Sequence, residues 1–212
     1  MSREKRFCVI AVDYEYHVPR QHDSDVINST SIHRGLKSLK DQTFKDFNVV
    51  ICHDGPKDKS YYEEGIDLEA LGISGMSINT PKRNADWGHS SRDLAMRTAY
   101  ENDLGEYYIQ FNIDNEFFPN AFHTLDSILK EIEERVVTFG VHHWKALGGG
   151  VLTGSVARLN SIDAMQLVAH KDVWRDMNFW YDKSFASDGI IYEEMCKKNK
   201  WKNIPVSLGH NF

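Results

Sequence analysis

Continuous apolar runs and stretches of helical period succeed one another along this chain, and the change from one to the other marks the elements. Residues 7–12 (FCVIAV) form an unbroken apolar run rich in β-formers and predict a first buried strand. Residues 29–39 place Ile32, Leu36 and Leu39 at helical spacing behind Ser and Thr, and predict a first helix. A second run, 47–52, predicts a strand closed by His53-Asp54-Gly55-Pro56, and 73–78 a third. Residues 90–100 predict a helix through Leu94, Met96 and Ala99, and 106–113 a fourth strand. Residues 121–133 predict an amphipathic helix through Phe122, Leu125, Ile128, Leu129 and Ile132, and 136–141 a fifth strand. Strand and helix thus alternate, and the strands are apolar on both faces. That pattern predicts an α/β fold, a mostly parallel sheet covered by helices on both sides. After Gly148-Gly149-Gly150 the pattern loosens, with a strand expected over 151–159, a tryptophan-rich segment, a helix over 188–198 and a last strand over 203–208.

Composition narrows the function classes. The chain has 212 residues, enough for one domain, or one with a small annex. Its net charge of -6 argues against a general nucleic-acid binder, which presents a basic face. No window of about 18 apolar residues is present, so no membrane span is expected. The N-terminal apolar run is too short for a signal peptide and leads straight into acidic residues. Cys8, Cys52 and Cys196 are far apart and odd in number, as expected of reduced thiols in a reducing compartment such as the cytoplasm.

The chemistry concentrates at strand ends. In GEYYIQFNIDNEFFPNAF (105–122) an apolar run stops abruptly in Asn112-Ile113-Asp114-Asn115-Glu116. Hard cations such as Mg²⁺ and Mn²⁺ take carboxylates, carbonyls and water. An enzyme that holds a diphosphate uses such an ion to neutralise it. Asp13, Asp54 and Asp114 all fall at or just past strand ends, where open α/β sheets bind ligands. Each has a plainer reading. Asp114 suits a turn before Pro119, Asp54-Gly55 is a common turn pair, and Asp188 suits the N-cap of the last helix. Arg92 suits an exposed helix start, and His210 an exposed tail.

Two blocks carry a family likeness. SLKDQTFKDFNVVICHDGP (38–56) resembles the opening of family 2 glycosyltransferases: a helix, Gln-Thr, an aromatic, a strand and an Asp at its end. NADWGHSSRDLAMRTAYENDLGEYYIQFNIDNEFFPNAF (84–122) resembles the family's next block, with its loop, helix-opening Arg, Gly-Glu-Tyr, buried strand, Asp-x-Asp motif and proline. The likeness is good over roughly 6–122 and weak beyond. It implies the GT-A (Rossmann-like) fold, a single domain over 1–212, with a nucleotide-sugar-binding half (1–122) and an acceptor-side half (123–212).

The resemblance also implies roles. Asp54 would contact the donor's base, Asn112 would sit beside the ribose, and Arg92 would approach the diphosphate. Asp114 would hold the metal, Mn²⁺ or Mg²⁺, with His210 as a further ligand. Asp188, in Ser187-Asp188-Gly189, would be the catalytic base. The donor would be a UDP-sugar and the acceptor a glycan or glycoprotein. The chain departs from the pattern in three places. Asn112 stands where Asp is usual, Ser187 where Glu is usual, and Val12-Asp13-Tyr14 replaces the usual first-strand ending, which puts the acid Asp13 near the base or ribose.

The chemistry fits these roles. Glycosyl transfer expels a nucleoside diphosphate, whose charge a cation stabilises, while a carboxylate removes the acceptor's proton. An inverting enzyme does this in one displacement. Two other readings stay open. A nucleotidyltransferase would want a glycine-rich basic loop after the first strand, where this chain has Asp13-Tyr14-Glu15-Tyr16-His17. A non-catalytic nucleotide- or carbohydrate-binding module is kept open by Asn112-Ile113-Asp114. Trp174, Phe179, Trp180 and Tyr181 read equally as an acceptor platform or as core. His142 and His143 are neighbours on a strand and so face opposite sides. Gly148 to Gly150 lack phosphate-loop spacing. The chain ends at Phe212 soon after a predicted strand, as expected of one piece of a longer protein.

Overall fold

The computed structural model describes residues 4–13, 29–56, 68–143, 150–158 and 161–211. Residues 14–17, Trp144, Gly148, Gly149 and Leu159 lie outside the described residues. The first half runs β1 (Phe7–Asp13), α1 (Ser29–Lys40), β2 (Phe47–His53), β3 (Gly75–Asn79), α2 (His89–Glu101), β4 (Tyr107–Asn112), β5 (Glu116–Phe117) and α3 (Ala121–Leu129). The second half runs β6 (Val136–His143), β7 (Val151–Leu152), β8 (Leu167–His170), α4 (Lys171–Asp176), α5 (Ser187–Lys198) and β9 (Trp201–Asn211), with a 3₁₀ turn at Ala164–Gln166 before β8.

One sheet carries all of these strands, in the order β3-β2-β1-β4-β8-β6-β9-β5, with β7 added beside β6. Both faces of the central strands are covered, which is why β1 and β2 are buried at every position. Alternate residues of one strand enter different cores. Val9, Ala11, Val49 and Ile51 pack with Leu36 and Leu39 of α1 and Phe122, Leu125 and Leu129 of α3. Cys8, Ile10, Val50 and Cys52 pack with Ala95, Met96 and Ala99 of α2, Trp174 of α4 and Ile191, Tyr192 and Met195 of α5.

The expected mostly parallel sheet holds only in part. β3-β2-β1-β4 is parallel throughout, and β6 runs parallel to β9. Between β4 and β6, β8 runs antiparallel to both neighbours, and β5 and β7 are antiparallel edge pieces. The reason is local. β8 is four residues long and follows the 3₁₀ turn directly, so no crossover helix brings the chain back to the parallel sense. The expected strand over 151–159 is only Val151–Leu152 among the described residues.

Two close approaches set the frame for the strand ends. Gly35 of α1 lies so near the turn after β4 that a Cβ there would sit 1.8 Å from the Ile113 carbonyl oxygen. Beside it, the Arg34 guanidinium Nη2 donates to the Asp114 carbonyl at 3.0 Å. Helix α1 is thus clamped onto the segment that carries Asn112 and Asp114.

Candidate active site at the strand ends

A cavity of about 280 Å³ opens at the carboxyl end of β4. Trp87 from the loop before α2 and His89 and Arg92 from its first turn form one wall, and Asn112 from the end of β4 forms the floor. Ile162, Asp163 and Ala164 come from the 3₁₀ turn, and Phe185, Ala186 and Asp188 from the start of α5. The position is the one that α/β sheets use for ligands. Of the residues singled out from sequence, Arg92, Asn112 and Asp188 line this cavity together.

Arg92 is 2% exposed and reaches the cavity from inside α2. Its Nη1 donates to Gln110 Oε1 at 3.2 Å and its Nη2 to Asn112 Oδ1 at 2.6 Å, and the guanidinium lies 4.8 Å above the Trp180 ring. Both amide oxygens are neutral acceptors, so they orient the guanidinium without cancelling its charge. Asn at 112, rather than Asp, therefore leaves the floor of the cavity less negative.

Asp188 is the second residue of α5, not its N-cap, which is Ala186. Its carboxylate accepts from the Gly189 backbone N–H at 2.8 Å. Burial, then the negative charge of Asp163, raises its pKa from the ordinary 3.8 to about 6, against the pull of the Gly189 N–H and of Arg92. A half-buried carboxylate with a pKa near 6 is suited to accept a proton at neutral pH. Asp163 itself is fixed as the cap of the 3₁₀ turn. Its Oδ1 accepts from Met165 N at 3.0 Å, while Gln166 Oε1 accepts from Asp163 N at 2.9 Å. The buried Tyr192 hydroxyl donates to the Ala164 carbonyl, which ties this wall to α5.

The other acids lie elsewhere. Asp13 ends β1 with its Oδ2 2.8 Å from His53 Nδ1 at the end of β2. Asp54 is 3% exposed, and its carboxylate accepts from Asn84 N, Asn84 Nδ2, Ala85 N and the Thr80 hydroxyl, all at 2.9–3.2 Å. It anchors the loop that becomes the Trp87 wall. Within that loop Ala85 (φ 53°), Trp87 (φ 56°) and Gly88 (φ 81°) are left-handed. For Ala and Trp this is strained backbone, and the Asp54 bond to the Ala85 N–H holds the first of the two. Neither Asp13 nor Asp54 lines the cavity.

Asp114 sits in the turn between β4 and β5, also outside the cavity lining. His210 on β9 is paired in register with Glu116, two residues beyond Asp114, and its ring packs at 5.0 Å from Phe118 and 5.3 Å from His142. Among the described residues no three His, Cys, Asp or Glu side chains converge on one point as a metal site.

Residues not singled out as ligands from sequence complete the site: Asp163, His89, Trp87 and Phe185. Only Asp163 had a local signal, the Asp-x-x-Gln capping pattern at 163–166. Trp174, Phe179 and Trp180 are core, each at most 7% exposed, whereas Tyr181 is 37% exposed. The exposed aromatics at the cavity are Trp87 (43%) and Phe185 (75%), with ring centroids 5.4 Å apart.

No family model matches the sequence, and no curated protein matches it either. Solved structures do match by shape. TarS from S. aureus (residues 1–349), in complex with UDP, superposes with a TM-score of 0.75 at 16% identity, over 97% of this chain and 60% of that one. The same protein in complex with UDP-GlcNAc gives 0.72 at 15%. The mannosyltransferase PcManGT from Pyrobaculum calidifontis, in complex with GDP-Man and Mn²⁺, gives 0.67 at 9%, over 99% of this chain and 57% of that one. This chain therefore spans about 60% of the length of the TarS 1–349 and PcManGT chains and 36% of a longer TarS chain, and over that length it has the fold of GT-A glycosyltransferases.

Proposed function

We propose that the chain is an inverting, metal-dependent glycosyltransferase that takes a nucleotide-diphosphate sugar, a UDP-sugar by preference, to a glycan or glycoprotein acceptor. The observation that carries the proposal is the meeting of Arg92, Asn112 and Asp188 in one cavity at the strand ends of this fold. Asp188 would act as the base that takes the acceptor's proton. Arg92, oriented by Gln110 and Asn112, would face the diphosphate. Trp87 and Phe185 would provide the apolar face that a sugar ring stacks on. A single displacement suits a cavity with one raised carboxylate and no nucleophile assigned.

Asp13 and Asp54, outside the cavity, would act on the base and ribose side. Asp54 would do so chiefly through the loop that it anchors. A divalent cation, Mn²⁺ or Mg²⁺, would be held by Asp114 and by the donor's phosphate oxygens, with His210 as a further ligand. An ion held partly by substrate, as Mg²⁺ usually is, needs only one or two protein ligands. That ion would offset the charge developing on the leaving diphosphate. The TarS complexes with UDP and UDP-GlcNAc, and the PcManGT complex with GDP-Man and Mn²⁺, support the choice of nucleotide and ion. The chain's length and wording also resemble the N-terminal domain of a chlorella-virus transferase that glycosylates a capsid protein. That resemblance favours a glycoprotein acceptor, in host cytoplasm. No helix among the described residues is long and apolar enough to cross a membrane.

Calorimetric titration with UDP, with and without Mn²⁺, tests the proposal on the wild type and on Asp114→Ala. The expected result is binding that needs the ion and is lost in the variant. Absence of binding for UDP, GDP and dTDP alike overturns it.

A further inference from the structure

The α2 end of the cavity contains a polar group that the proposed reaction leaves without work. His89, the first residue of α2, is 7% exposed and lines the cavity. Its Nδ1 lies 3.2 Å from Trp180 Nε1, and the two rings stack with centroids 6.0 Å apart. Indole N–H is only a donor, so Nδ1 must be the bare acceptor, and the neutral ring carries its hydrogen on Nε2. Burial, then the charge of Arg92, lowers the His89 pKa to about 4, which keeps the ring in that neutral tautomer at physiological pH. Nε2 is shielded from solvent and, among the described residues, has no hydrogen-bond acceptor. A buried donor without an acceptor costs stability and is rarely retained without a use.

The surroundings say what its acceptor is. Asp188, the candidate base, lines the same cavity, so this is the side on which the sugar would be transferred. Arg92 and Asn112, assigned to the diphosphate and ribose, line it too, whereas Asp13 and Asp54, assigned to the far, base side of the nucleotide, do not, so the cavity is where the diphosphate meets the sugar. Trp87, whose ring centroid is 6.3 Å from that of His89, is 43% exposed and puts an apolar face beside it.

We infer that His89 is a specificity-determining residue that donates its Nε2 hydrogen to a hydroxyl of the sugar bound in this cavity. The inference rests on the glycosyltransferase reading above. Trp180 sets the direction of the donor by occupying Nδ1. Lys183 holds the start of α2 in place, donating to the His89 carbonyl at 3.2 Å and the Trp180 carbonyl at 2.6 Å. A neutral N–H prefers a hydroxyl of defined orientation. It therefore discriminates epimers, which a charged group would tolerate more readily.

The test is NMR of imidazole-¹⁵N histidine protein, with the His89 signals assigned through His89→Gln. The free protein should show His89 with a bare Nδ1 and a protonated Nε2. UDP alone, with its diphosphate at Arg92 in the same cavity, should shift the Nε2–H resonance only slightly. UDP-GlcNAc or UDP-glucose should move it if the hydroxyl is the donor's. A methyl glycoside added to UDP-saturated protein should move it if the hydroxyl is the acceptor's. In calorimetry His89→Phe should bind UDP as the wild type does and lose about three- to tenfold in affinity for the sugar-bearing ligand. His89→Gln, which keeps an N–H donor, should recover most of that loss. A resonance that moves fully with UDP alone, or with no sugar, overturns the inference while UDP binding leaves the transferase reading intact. If no nucleotide binds at all, both fall.

Discussion

Asp188 is a residue whose surroundings disagree about its charge. Burial and Asp163 favour the protonated acid, while the Gly189 N–H and Arg92 favour the carboxylate, and the balance leaves its pKa at about 6. The sign of the stability effect follows. Between 3.8 and about 6 the folded protein retains a proton that the unfolded chain has released, so stability falls as pH rises through that window. Above it the loss is complete. Asp188→Asn, which removes the charge and keeps the shape, should therefore match the wild type near pH 3.5. At pH 8 it should be more stable by on the order of 1–3 kcal/mol. Urea unfolding at the two pH values checks this. The same variant should lose donor turnover at every pH, and the wild-type rate should rise through about pH 6 and then level. A variant no more stable at pH 8 would place the carboxylate in water. Residues of this kind are partly legible in a sequence. Asp188, Arg92 and Asn112 stand at a helix start or strand end, where the chain's own periodicity points. His89, Trp87 and Phe185 carry no such mark, because His89 is set apart by burial, Trp87 by left-handed backbone and Phe185 by its contact with Trp87, none of which a local pattern shows.

At the scale of elements, the loop from 80 to 88 depends on one carboxylate. Asp54 accepts from two backbone N–H groups, a side-chain amide and a hydroxyl, and thereby fixes Asn84 and, at positive φ, Ala85, two residues before Trp87. Asp54→Ala should lose about 2–4 kcal/mol in urea unfolding, since charge-assisted bonds of this kind are worth about 1.5–3 kcal/mol each when buried donors are stranded. If Asp54 only touched a nucleotide base, the variant would bind donor poorly at unchanged stability. Gly35→Ala is the second element-scale case. A methyl there would meet the Ile113 carbonyl oxygen at 1.8 Å, so α1 must retreat from the turn that carries Asp114. Overpacking of this kind costs about 1–3 kcal/mol. Nucleotide affinity should fall with stability, because the same shift displaces Asn112 and Asp114. The long apolar runs, such as β1, β2 and β4, announced themselves because both of their faces are buried. β8 did not. Four residues between a capped turn and α4 are too few to show a period, and its antiparallel sense is decided by the strands on either side.

At the scale of the whole molecule, one sheet joins the half with the parallel strands to the half with Asp163 and Asp188. The cavity exists only where the two meet. Asn112 ends β4, and Ala164 precedes β8, which pairs with β4 directly. A ligand that touches both walls must therefore favour the folded state of the entire sheet rather than of one segment. Binding to the folded state alone stabilises by RT ln(1 + [L]/Kd), about 2.7 kcal/mol at a hundredfold excess over Kd. For a domain of this size about 1 kcal/mol moves Tm by 2–4 °C, so UDP with Mn²⁺ should raise Tm by roughly 5–10 °C in a single cooperative transition. UDP without the ion should give no resolved shift, and Asp114→Ala should give none with or without Mn²⁺. A ligand that sharpened only part of a biphasic melt would mean that the two halves unfold separately. The cavity would then be an interface that the ligand assembles, not one that the sheet preorganises.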